Sequence, residues 1–168
     1  MSDRAFAELR AFAWPAYCVA ALLVVTPLVD LVANVWPPRL GAVEWRFGTF
    51  GLLSGFLLTP LLGMVLATAA AAVLEHRGAQ RVFALLDLAG AALLAIVVVM
   101  LSLDWLQMRA SIDPATRPAI DVGSVKSIGK HAGVAIALAW MGGVGWRASR
   151  PSAEARSHRP APMFRAEG

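Results

Sequence analysis

Charge is what this sequence has least of. Aspartate, glutamate, lysine and arginine make up 15% of its 168 residues against 58% hydrophobic residues, a balance that excludes an ordinary soluble globular domain. The net charge of +4 does not point to nucleic acid. The bases are spread over loops and tails, without the basic stripe and interleaved aromatics such a surface needs. Lysine is nearly absent, with Lys126 and Lys130 set against thirteen arginines. Cysteine is reduced to Cys18, which excludes an internal disulfide and a thiolate zinc site. His76, His131 and His158 are scattered along the chain and do not form the facing pair that a bundled haem requires. No metal or other cofactor is expected. Phosphate loops, His-Glu-x-x-His motifs and close carboxylate pairs are also missing. Ser127-Ile128-Gly129-Lys130 matches the S-x-x-K string of penicillin-binding enzymes, but the motifs that accompany it there are absent. No enzyme is supported.

One absence is more informative than the rest. From Phe47 to Leu74 there is no charged side chain, and an apolar run of this length reads as a membrane-spanning helix. At 1.5 Å per residue its 28 residues cover about 42 Å, more than the ~30 Å hydrocarbon core. The helix must therefore tilt, bend or protrude, and Pro60 gives it a place to bend. Every fourth residue is small: Gly51, Gly55, Thr59, Gly63, Ala67 and Ala71. Residues four apart share a helix face, so these six form a shallow helix-packing groove. In lipid, close backbone approach is a main source of helix association.

The rest of the chain supplies three more spans. The expected fold is an all-α polytopic membrane protein, an antiparallel bundle of four transmembrane helices over residues 14–146, with spans at about 14–35, 47–74, 82–103 and 125–146. A lead-in (1–13) precedes it and a disordered basic tail (147–168) follows. The first span is too long, and its end too poor in a cleavage motif, for a signal peptide. Pro37-Pro38 and Gly41 turn the chain after it, and Trp36 and Trp45 flank that loop as an interfacial aromatic belt would. Thr26-Pro27 and Thr59-Pro60 place a kink in each of the first two spans. Glu75–Arg81 makes a tight polar turn, and 107–123 reads as a surface loop of nearly twenty residues. Arginines and lysines near the helix ends favour both termini in the cytoplasm, and the cell membrane as the location.

Ionisable groups at membrane depth each need an account. Asp30 and Asn34 share a face near the end of the first span; Lys126, Lys130 and His131 enter with the fourth span from the same side. Asp30 and Lys130 lie at similar depths. They are read as a structural ion lock, as the lining of a polar pocket for an ion or anionic headgroup, or as separately snorkelling charges. Asp87 is expected to lie within reach of the turn bases Arg77, Arg81 and His76, in a capping or topology role, and Asp104 to be interfacial and solvated. The lipid bilayer is the expected partner, together with a second copy or a larger membrane complex. Two function classes follow: a non-enzymatic subunit or scaffold that packs through small-residue faces, or a small transporter or channel component using the Asp30, Lys130 and His131 side. The scarcity of polar side chains across the spans favours the first.

Overall fold

The computed structural model describes residues 11–150, so the lead-in up to residue 10 and the tail from residue 151 lie outside the described residues. Five helices follow one another: α1 (Ala13–Val35), α2 (Val43–Phe56), α3 (Leu58–Val73), α4 (Arg77–Ser111) and α5 (Arg117–Ala148). α1 and α4 are each long and apolar enough to cross a membrane, and α2 with α3 makes a third such unit if the bent pair is one span. α5 does not qualify by its own composition, because Lys126, Lys130 and His131 and a run of glycines dilute its apolar residues. Among the described residues there are thus two or three membrane-length apolar units where four were expected.

The bend between α2 and α3 is 48° and falls one turn before Pro60. Proline lacks the N–H that would bond the carbonyl four residues back, and its ring crowds that carbonyl. For Pro60 that residue is Phe56, the last residue of α2. The break residue, Leu57, is buried and joins Leu94, Val134 and Leu138 in the core cluster. Pro27 has a weaker effect, since α1 runs through it as one helix. The two Thr-Pro pairs therefore do different things: one lies at a helix break and the other, with Pro27 buried and Thr26 exposed, sits within a continuous helix.

The turn from α3 to α4 closes with His76 N–H donating to the Ala71 carbonyl (3.0 Å) and Glu75 N–H to that of Ala72 (3.2 Å). This is the Schellman pattern, which wants a left-handed residue, usually glycine, at the position Glu75 occupies. Glu75 has φ 55°, a conformation that costs a residue with a Cβ about 1–2 kcal/mol. Glu75→Gly is expected to raise the stability of the purified protein by about 0.5–1 kcal/mol, part of the gain being lost to the freer unfolded chain. A lower thermal midpoint for Glu75→Gly would contradict this reading of the turn.

α4 and α5 form an antiparallel hairpin. Its loop is shorter than expected, because α4 continues to Ser111 and α5 begins at Arg117. Asp113 builds the turn: its carboxylate accepts from Ala115 N–H and its carbonyl from Thr116 N–H, both at 3.0 Å, and Pro118 stands in the first turn of α5, where its missing N–H costs nothing. Past the turn, Trp105 Nε1 donates to Asp121 (2.9 Å) and Arg109 pairs with the same carboxylate (3.3 Å). The seam then runs through Ala84, Asp87, Ala91, Leu94, Val97, Leu101 and Asp104 on α4. Across it lie Ser124, Ser127, His131, Val134, Leu138 and Gly142 on α5. Steps of three and four on both helices are the spacing of coiled-coil packing.

α1 packs chiefly against α3. A Cβ added at Gly63 would lie 2.7 Å from the Ala20 carbonyl and 2.8 Å from Val24, so the backbones approach as closely as glycine alone allows. Ala67 and Ala71 continue that buried face. Tyr17 fastens the same end, its hydroxyl 3.2 Å from His76 Nδ1 and its ring 5.9 Å from that of Phe83.

Candidate functional site

The small-residue groove splits at the bend. Gly63, Ala67 and Ala71 are buried against α1, whereas Gly51, Gly55 and Thr59 are exposed, and a Cβ at Gly51 or Gly55 would meet nothing within 4 Å. Gly48, which sequence reasoning passed over, is open in the same way. Half of the groove is an internal packing surface and half is unoccupied.

The polar residues are also divided. Asp30 and Asn34 are exposed on α1, and the Asn34 amide donates to the Asp30 backbone carbonyl (2.8 Å). Lys126 is exposed on α5, while Lys130 is half-buried and its Nζ lies 3.4 Å from the Ser54 carbonyl in the last turn of α2. A cation there complements the negative end of the α2 dipole. No residue of α1 comes within 8 Å, Cα to Cα, of α5. The Asp30–Lys130 lock is therefore not closed within the chain. The reason is architectural: the glycine-alanine face of α3 claims α1 and holds it away from α5.

His131 is fully buried in the seam, with Nδ1 2.8 Å from the Ser127 carbonyl. A carbonyl only accepts, so Nδ1 carries the hydrogen, and Nε2 has no partner. Ser127 Oγ is likewise buried and unpartnered. Lys130 does not bond it, so the S-x-x-K string has none of the serine–lysine contact that catalysis would need. His131 thus parts from Lys130: one faces α4, the other the bend.

Two expectations for α4 are corrected. Asp104 is not solvated but 2% exposed, and Arg46 grips it with both arms of its guanidinium, Nε to Oδ2 at 3.1 Å and Nη2 to Oδ1 at 2.6 Å. Arg46 Nη1 also donates to the Leu40 carbonyl (2.7 Å), so one side chain ties the α1–α2 loop and the start of α2 to α4. Asp87 is not capped by arginine. It is fully buried, Thr68 Oγ1 stands 3.5 Å from its Oδ2, and its Oδ1 has no partner. Arg81 instead donates to the Ser149 carbonyl (3.1 Å).

Two recesses flank Ser54. One, of about 240 Å³, lies between the bend and α5, with Leu57, Leu61, Gly129, Lys130 and Gly133 among its walls. The other, of about 290 Å³, lies between α2, α4 and α5 and is edged by Gly51, Leu101, Ser124 and Ser127. Among the described residues no three His, Cys, Asp or Glu side chains gather as metal ligands. The serine and histidine of the seam could have been noticed in the sequence from their spacing, since Ser124, Ser127 and His131 continue into Val134, Leu138 and Gly142 at the same three-and-four steps. Small and polar residues in that rhythm mark a packed face in lipid. Arg46–Asp104, 58 residues apart, had no such signal. Comparison with known proteins adds no relative: no family model matches the chain, and neither curated proteins nor solved structures give a match.

Proposed function

We propose that this chain is a small integral protein of the cell membrane, with four spans and both termini cytoplasmic, that serves as a non-enzymatic subunit or scaffold and associates through open small-residue helix faces. The observation that carries this reading is the split groove. Where Gly63, Ala67 and Ala71 meet α1, the row works as a helix-packing surface; the same row continues through Gly55, where an added Cβ meets nothing within 4 Å, to Gly51 at the edge of the recess toward α4 and α5. A surface of that kind left open in lipid favours a second helix.

α5 supports the fourth span by its position. It lies antiparallel along α4, so a bilayer that encloses α4 encloses the middle of α5. Its polar residues Ser124, Ser127 and His131 turn into the seam, and Val125, Ile136, Trp140 and Val144 face outward. The orientation rests on Arg77, Arg81, Arg147 and Arg150, which crowd the end shared by the α3–α4 turn and the end of α5.

Two measurements test this. The purified full-length protein is expected to be oligomeric, or to carry a partner, by native mass spectrometry in mild detergent. Gly55→Leu should lower the associated fraction about tenfold, a loss of ~1.4 kcal/mol, with less than ~0.5 kcal/mol change in fold stability. A monomer without companions, indifferent to Gly55→Leu, would remove the subunit reading. For topology, single cysteines replacing Ala42 and Ala115, in a Cys18→Ser background, should be labelled from outside intact cells, and those replacing Ala79 and Ala155 spared. The opposite pattern inverts the proposed orientation.

A further inference from the structure

We propose that Asp30 of one copy of this chain pairs with Lys130 of a second copy, so that the ion lock the fold keeps open internally is closed between protomers. The inference rests on the membrane reading above and names the partner and the contact. Asp30 is exposed on α1, and the two ion pairs among the described residues, Arg46–Asp104 and Arg109–Asp121, leave both Asp30 and Lys130 without an opposite charge. A carboxylate and an ammonium are each costly alone at membrane depth, and within the chain α1 and α5 do not touch. In this fold the two groups do not pair, and a second copy supplies each with an opposite charge.

Both surroundings are open. Asp30 shares a face of α1 with Thr26 and Asn34, all three exposed. Lys130 stands in the 240 Å³ recess at the bend, beside Gly129 and Gly133, where an added Cβ would meet nothing within 4 Å. A glycine floor of this kind lets a second helix come close in lipid, within reach of the ammonium. The depths differ by about 6 Å. Asp30 lies five residues before the end of α1, about 8 Å in from the Val35–Trp45 hydrogen bond that marks the interface. Lys130 lies nine residues past Asp121, about 14 Å in from the Trp105–Asp121 hydrogen bond at the same end, and its flexible stem, which here reaches the Ser54 carbonyl, has to turn toward the interface to span the remaining ~6 Å. Both approach from the end that holds the α1–α2 and α4–α5 loops.

The test uses full-length protein in native membranes, in a Cys18→Ser background, with two differently tagged copies co-expressed. One copy carries Asp30→Cys and the other Lys130→Cys. A bifunctional thiol cross-linker with a span of about 8–10 Å, chosen to replace the reach of the lysine stem, is expected to give a linked heterodimer at least about tenfold above a control in which Leu22→Cys replaces Asp30→Cys, since Leu22 lies about 12 Å further along α1. In separate samples, Asp30→Lys and Lys130→Asp should each lower the associated fraction at least fivefold, about 1 kcal/mol at 1.4 kcal/mol per tenfold. A chain carrying both changes should recover association, because the charges then match again across copies. Asp30→Lys, at an exposed position, keeps the charge test available should Lys130→Asp not accumulate. Cross-linking at control level, or an Asp30→Lys chain that associates like the unaltered one, overturns the proposal. Association that survives those changes yet falls with Gly55→Leu would overturn this contact while leaving the scaffold reading in place.

Discussion

Replacing Gly63 by leucine is expected to cost about 3 kcal/mol or more and to detach α1 from the bundle, by the overpacking that an unyielding site imposes. The first atom met is the Ala20 carbonyl oxygen at 2.7 Å, with Val24 at 2.8 Å and Leu23 at 3.1 Å. A backbone oxygen cannot rotate away, so even Gly63→Ala should lose about 1–2 kcal/mol. Gly142 is its counterpart in the hairpin. A Cβ there falls 2.9 Å from the Ala84 carbonyl and 2.8 Å from Leu88, and Gly142→Leu should open the α4–α5 seam at a similar cost. Gly55→Leu supplies the contrast, since open space surrounds it and its fold stability should move by less than about 0.5 kcal/mol. Thermal melts of the four variants in one detergent would check the series. Equal midpoints for Gly63→Leu and Gly55→Leu would show that the α1–α3 contact does not hold the fold.

The second large effect is expected at Arg46 and Asp104. The carboxylate accepts a two-armed guanidinium, with side-chain exposures of 17% for Arg46 and 4% for Asp104. Removing the arginine strands a buried carboxylate, and removing the carboxylate releases the clamp on α2 and on the loop at Leu40. Each of Arg46→Ala and Asp104→Ala should lower the thermal midpoint by about 5–10 °C. The loss arises from the group left unpaired more than from the attraction itself, so a neutral pair, Arg46→Met with Asp104→Leu, should recover much of it. Arg46→Lys should recover less than the neutral pair, because a lysine cannot reproduce the two parallel hydrogen bonds. Single-variant losses that simply add in the double variant would show that the two side chains act separately.

The residues that specify helices were legible from the chain alone, and those that join helices mostly were not. The uncharged run from Phe47 to Leu74 foretold the apolar α2–α3 unit, because hydration cost acts on each residue whatever its neighbours. Pro60 foretold a bend for an equally local reason, a missing donor and a crowded carbonyl at Phe56. Six small residues at four-residue spacing foretold a packing face, but periodicity assigns a face and not its partner. The 48° bend decided that, turning Gly63, Ala67 and Ala71 to α1 and leaving Gly51 and Gly55 open. The same geometry explains the polar residues. Asp30 and Lys130 had matching depths in the sequence, yet depth is one coordinate and contact requires three; α1 packed on α3, and the pair stayed apart. Asp104 read as a solvated interfacial acid until tertiary packing brought Arg46 to it across 58 residues. His131 and Ser127 read as a polar face, whereas the hairpin turned them inward against α4. Composition and local stereochemistry determined that this chain is helical, where its middle unit bends and which solvent it suits, while the ends of α4 and α5 ran further into 107–123 than the sequence suggested. Only the packing of backbones at glycine, which depends on the path of two helices at once, decided which charges meet.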